Sequence, residues 1–488
     1  MLFDGTGYPF EEHYRFARQR DAGAPHTFSN MLFTADEPGL RVGPWPGWRG
    51  IPEFPRVHVR SGPRSAPVTF VPWGDELPRR AIRGVASLDL TPGDTLLCDV
   101  GDAPLRPVHA DLYSGRIPRA NAVSISLLPE IAAAHPRLLV TDREIPALRE
   151  KARLSHRDYW RRILDLLDRS EIPWSVTPES KIPDGPERLS EGDLCLMAAF
   201  AALLDPAPSR RSLARTSFLR YMHKTREPGY QPLTIDTQAG ETLFLLALSF
   251  DWTYGEWTVR EKETIGAWLS DVAEICWSHL GYERRDYAQA HYLGCALGLL
   301  AFSFLFWDHP RAGEWAGHCR GVLDTVVSML PRDGFYPHGI NLWIYEYGFL
   351  LRWLELFRAC TGTDLWHPAD RWENSSAFRG ACTSPGGLYA ATFGDPQYRV
   401  GGDSWCHYLI AARTRSRHAQ WLGDMLREAP HSGVDFRSMP PRRRIYEFIF
   451  HDDTIPPEAP PERVREFPDG GQVFARGEGS LSPVFTFR

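Results

Sequence analysis

Lysine is almost missing from this sequence. Lys151, Lys181, Lys224 and Lys262 are its only copies, and the remaining basic residues are arginine. The formal net charge is −6, so the basic excess of a general nucleic-acid binder is absent. The arginine bias reads first as the mark of a GC-rich genome, and second as a supply of planar forks for carboxylate or sulfate. No run of about 20 residues lacks charged or polar punctuation, which argues against a transmembrane helix and a membrane partner. The N-terminus, Met1-Leu2-Phe3-Asp4-Gly5, has no basic segment followed by an apolar one. No signal peptide is visible, so the expected location is cytoplasmic, or periplasmic or secreted if a signal has been removed.

Several chemical signatures are missing too. There is no GxxxxGK[ST], no Rossmann glycine fingerprint after a strand, no GxSxG and no HExxH. Nucleotide binding, hydride transfer and serine-hydrolase chemistry lose most of their support. No His/Cys/Asp cluster has close metal spacing. The eight cysteines form no C-x-x-C pair. Most sit in apolar helical stretches, as buried thiols in a reducing compartment do.

What is present is a long chain with ample core material. Its 488 residues are 43% hydrophobic and 24% charged, enough for two to four globular domains. Residues 1–125 are dense in Pro and Gly around Gly43-Pro44-Trp45-Pro46-Gly47 and carry short alternating runs at 56–60, 68–71 and 95–100. Such runs read as strands, so a small β-rich domain is expected there. From about Pro136 the period becomes helical. Helices are predicted over 143–169, 190–204, 209–224, 239–254, 258–280, 288–307, 311–330, 341–360, 403–413 and 415–427. Those at 239–254, 288–307 and 341–360 are apolar nearly all round and must be covered on every side. Buried helices alternating with amphipathic ones make the expected fold mainly α, an α/α toroid over 126–454. Residues 455–488 read as a Pro- and charge-rich linker followed by two strands, the start of a C-terminal antiparallel β domain.

Two segments place polar and aromatic residues where core residues are expected. One is Arg284-Arg285-Asp286-Tyr287-Ala288-Gln289-Ala290-His291-Tyr292. The other runs from Asp333 to Tyr347 and joins two helices. His291 reads either as a histidine satisfied by a backbone carbonyl or as an acid/base or charge-neutralising donor. Tyr345 and Tyr347 read as core tyrosines or as catalytic hydroxyls. His338 and Asn341 suit a turn or a helix cap. Tyr336 and Trp343 suit the core or a sugar platform.

These segments carry a resemblance. His135-Pro136-Arg137-Leu138-Leu139-Val140-Thr141, Asp251-Trp252-Thr253-Tyr254, His291-Tyr292-Leu293-Gly294, Asp333-Gly334-Phe335-Tyr336-x-x-Gly339, Phe393-Gly394-Asp395 and Phe467-Pro468-Asp469-Gly470-Gly471 follow one another in an order similar to that of heparinase II/III-like polysaccharide lyases. The resemblance covers about residues 130–488. It implies an α/α toroid followed by a β-sandwich, and β-elimination of uronate-containing glycans such as alginate, heparin or other glycosaminoglycans. By position the catalytic His matches His291 and the catalytic Tyr matches Tyr345, with Tyr347 as competitor. Many members have Asn where this chain has Ala290, and Glu where it has His338. Gln238, Gln289 or Arg285 is then expected to neutralise the uronate, with His338, Asn341, Trp343 and Tyr347 completing the substrate contacts. The family's His-rich, metal-supporting segment is expected beyond Arg488.

The chemistry accounts for those residue types. The C5 proton beside a uronate carboxylate is weakly acidic until a donor neutralises the carboxylate charge. A base then removes that proton, and an acid protonates the leaving O4. These steps require no metal or organic cofactor. Two other classes stay open. An α/α-toroid glycoside hydrolase would use two carboxylates drawn from Asp236, Glu241, Asp286 and Glu346. A non-catalytic glycan-binding protein would use neither mechanism.

Overall fold

A computed structural model describes strand segments and one turn residue between residues 2 and 113. Beyond them it describes residues 123–169, 189–226, 236–282, 290–336, 339–384, 387, 390–391, 402–428, 441–462, 464–477 and 484–487. The chain is mainly helical and divides into two compact units. One unit comprises Met1–Ala122 with Ser278–Tyr287. The other comprises Val123–Trp277 with Ala288–Arg488.

Among the described residues the first unit carries nine strands. They are β1 (Leu2–Phe3), β2 (His26–Ala35), β3 (His58–Ser61), β4 (Arg64–Pro67), β5 (Thr69–Val71), β6 (Ala81–Val85), β7 (Asp89–Leu90), β8 (Leu96–Asp99) and β9 (Leu105–Tyr113). One antiparallel sheet has the order β1-β8-β3-β4. The other has the order β5-β6-β2-β7, with β9 also paired to β2. The alternating runs read from the sequence at 56–60, 68–71 and 95–100 fall on β3, β5 and β8.

The second unit holds the described helices. They are α1 (Pro129–Ala132), α2 (Ile145–Arg153), α3 (Arg157–Arg169), α4 (Glu191–Leu204), α5 (Pro208–Thr225), α6 (Asp236–Trp252), α7 (Val259–Tyr282), α8 (Ala290–Leu305), α9 (Ala312–Met329), α10 (Gly339–Thr361), α11 (Ala369–Ala381), α12 (Ser404–Thr414), α13 (Arg417–Glu428) and α14 (Arg443–Phe450). The last residues of α7, from Ser278, are the exception and belong to the first unit. The single helix expected over 143–169 is two helices, because Leu154 leaves helical geometry and Ser155 turns onto His156 Nδ1 at 2.7 Å. Helices α11 and α14 were not anticipated. Helix α11 is a Ser- and Arg-rich segment without a clean apolar stripe, and α14 is a short amphipathic one that opens on arginines; both are largely buried.

Local rules explain several boundaries. Ser190 caps α4 in a reciprocal box with Asp193, and Pro208 opens α5 at a position that needs no N–H donor. Burial alternates along the chain. Helices α4, α6, α8, α10 and α12 are buried nearly all round, while α5, α7, α9 and α13 keep exposed faces. The buried helices contact one another in succession: α4 with α6, α6 with α8, α8 with α10, α10 with α12, α12 with α14. Helix α14 then contacts α3, and α3 contacts α4, so the series of neighbours returns to its start.

The closest of these crossings joins α6 to α8. A Cβ on Gly240 would lie 2.0 Å from the Gly294 carbonyl oxygen, and one on Gly298 would lie 2.3 Å from that of Gly240. Only glycine permits that approach. The final strands β10 (Val464–Phe467), β11 (Gln472–Arg476) and β12 (Val484–Phe487) form an antiparallel sheet in that order. Phe467 and Phe474 pack edge-on to Phe378 of α11. The Asp469 carboxylate accepts from the Arg332 and Asp333 amides and the Asp333 carboxylate from the Asp469 amide, which pins the β10–β11 turn to the Asp333-Gly334 turn.

Candidate functional site

The α6–α8 glycine contact and the hydrogen bond from Ala290 N to Glu346 Oε1, at 3.0 Å, fix the relative height of three buried helices. Residue Ala290 opens α8, and Glu346 lies in the third turn of α10. His291 and Tyr345 flank this bond in sequence, one on each helix. His291 is exposed on an otherwise buried helix, and Tyr345 is half-buried.

The other expected contacts divide into three groups. Gln238 is exposed in the first turn of α6. Arg285, Gln289 and His338 lie outside the described residues, and Asn341 is described only as a position in α10. Trp343 and Tyr347 require correction as sugar contacts. Trp343 is 0% exposed and Tyr347 1%. Their rings stack at 4.7 Å, Trp343 Nε1 donates to Ser375, and burial drives the Tyr347 hydroxyl far above its usual pKa. Both are core residues. An apolar face at helical spacing gives no warning of which aromatics it will seal.

A second polar constellation joins the buried helices and was missed from the sequence. Arg442, just before α14, donates to Asp193 of α4 at 2.8 Å and to Glu241 of α6 at 3.0 Å. Arg352 of α10 donates to the same Glu241 oxygen at 3.0 Å. Arg442 and Glu241 keep 18% and 16% of their side-chain surface, so the network is not fully sealed. Burial alone would raise the Glu241 carboxyl, but the two guanidinium groups outweigh it and hold the pKa below the ordinary value. Glu241 is therefore an ionised anchor rather than a proton donor. The signals in the sequence were lone charges, Glu241 and Arg352, within apolar helices, and the run Pro440-Pro441-Arg442-Arg443-Arg444.

A third cluster has triad-like spacing. Ser376 Oγ lies 2.8 Å from His407 Nδ1, and Asp403 Oδ2 lies 3.4 Å from His407 Nε2. Arg379 also grips Asp403 at 2.7 Å, and the His407 ring stacks on Trp343. Burial lowers the His407 pKa. No face of the imidazole reaches solvent, so the cluster holds α11 to α12 rather than serving a substrate. Among the described residues no group of three or more His, Cys, Asp or Glu side chains is placed to hold a metal. No described helix is long and apolar enough to cross a membrane.

No protein-family model matches this chain, and no curated protein matches it.

Proposed function

We propose that the chain is a polysaccharide lyase of the heparinase II/III-like kind, cleaving a uronate-containing glycan by β-elimination on an α/α toroid. The returning series of buried helices supports the toroid. In the same reading, residues 1–125 form a β-rich domain and the last strands begin a C-terminal β-sandwich. The observation that carries the reading is the Ala290–Glu346 bond, since Ala290 precedes His291 on α8 and Glu346 follows Tyr345 on α10. Either His291 neutralises the uronate carboxylate while Tyr345 takes the C5 proton and then protonates the leaving O4, or His291 takes the C5 proton and Tyr345 protonates O4. Gln238, Arg285, Gln289, His338 and Asn341 are the proposed substrate contacts.

The hydrolase alternative asks for two carboxylates facing one cleft. Glu241 is committed to two arginines, and Glu346 to a backbone amide, which favours the lyase. The test is to incubate the full chain with alginate, hyaluronan, chondroitin, heparan sulfate and heparin. The expected product absorbs in the ultraviolet through its C4–C5 double bond. Reducing ends without that absorbance would indicate a hydrolase, and neither signal would indicate a binder. Tyr345→Phe and His291→Ala should each lower turnover roughly 10²–10⁴-fold. Tyr347→Phe should leave turnover near normal. Full activity in Tyr345→Phe would remove the tyrosine mechanism.

A further inference from the structure

In sequence, Ala288, Gln289 and Ala290 offer none of the short Ser, Thr, Asp or Asn side chains that commonly satisfy the first amides of a helix. One acceptor comes from another helix. Glu346 is 1% exposed, and its Oε1 accepts the Ala290 N–H at 3.0 Å. Seating a carboxylate in the core is expensive unless it meets donors. A helix N-terminus supplies such a donor together with a favourable dipole. The residue after the held amide is His291, and the residue before the holding carboxylate is Tyr345.

We infer that Glu346 is a positioning residue: it fixes the first turn of α8 against α10 and so sets His291 relative to Tyr345. This rests on the lyase reading. Glu346 touches no substrate in it; Glu346 acts through the α8 backbone. An error of about 1 Å between reacting groups can cost about 100-fold in rate, and a helix start lacking its cap frays within its first turn.

The test uses the full chain with Glu346→Ala and Glu346→Gln. Hydrogen exchange is followed on the peptide containing Ala290, and kinetics are measured well below the unfolding midpoint on whichever polymer the wild type cleaves. Glu346→Ala should exchange its Ala290 amide about tenfold faster or more, and kcat should fall about 10–100-fold with KM nearly unchanged. Glu346→Gln keeps an acceptor oxygen at the same reach. It should restore the protection and most of the turnover. Normal kcat despite lost protection would overturn the inference, as would reduced kcat with protection intact. A uniform drop in Tm with unchanged kcat would leave Glu346 purely structural and also overturn it. If the wild type cleaves nothing on the panel, the lyase reading fails and the inference fails with it. In that case unchanged exchange in Glu346→Ala would additionally remove the α8–α10 link.

Discussion

Helix α6 meets α8 through glycines, whereas the end of α14 meets α2 and the start of α3 through two histidines and a lysine. In the first, Gly240, Gly294 and Gly298 let two backbones touch without a side chain between them. The second contact adds polar groups to the packing of Phe448 on His156 and Trp160. His156 Nε2 lies 2.7 Å from His451 Nδ1, and Lys151 donates to the carbonyls of Ile449 and His451. Asp424 accepts from the Tyr408 hydroxyl and lies 3.6 Å from His451 Nε2. Both contacts belong to the same returning series of helices. One depends on shape and the other on protonation, so contacts within one series of packed helices can differ in how they answer solution conditions.

The Arg442 network combines both traits: it is largely buried, and it is charged. Arg442→Met would leave Asp193 and Glu241 facing each other with one guanidinium fewer. Removing one partner from a buried pair typically costs about 3–5 kcal/mol, the largest stability loss expected here. Denaturant midpoints measure it. Adding Glu241→Gln should recover part of the loss, because a neutral amide needs no counter-charge. A loss below about 1 kcal/mol would place the network in the weak class of surface pairs.

The glycine contact should come next. Gly298→Ala must push α8 from the Gly240 carbonyl, and overpacking of this kind costs about 1–3 kcal/mol. Gly313 in α9 is the control, since nothing lies within 4 Å of the position of its would-be Cβ. Gly313→Ala should be neutral or stabilising by up to about 1 kcal/mol. A Gly298→Ala effect no worse than that of Gly313→Ala would mean that helix propensity rather than close approach governs both positions.

These contacts also show what the sequence could reveal. Helices α8 and α10 were legible because their residues are apolar on every face. Helices α11 and α14 were not, because Ser376, Arg379 and Arg443 look like surface residues until their buried surroundings are known. His291 and Tyr345 were legible as polar residues opening apolar helices. Glu346 was legible only as a spare carboxylate: its partner is a backbone amide 56 residues away, and backbone amides carry no sequence signal. Trp343 and Tyr347 were ambiguous because core aromatics and sugar platforms use the same residues.

The histidine contact gives the last prediction, smaller per pH unit but opposite in character. Burial, helped by Lys151 and by His451, lowers the His156 pKa from 6.5 to about 3. Between those values the unfolded chain binds a proton at this site that the folded chain refuses. Stability should therefore rise with pH across roughly 3 to 6.5 and be lost as acid is added, at up to about 1.4 kcal/mol per pH unit for one proton. Lys151, lowered to about 8 from 10.5 chiefly by burial, acts in the same direction between those two values. His156→Phe removes the first titration while keeping a flat ring, so urea midpoints at pH 7, 5 and 4 should fall less steeply than in the wild type. Gly298→Ala should instead lower all three midpoints equally, because its contact has no proton to exchange. If His156→Phe tracks the wild-type slope, the acid sensitivity lies elsewhere and the contrast between the two contacts fails.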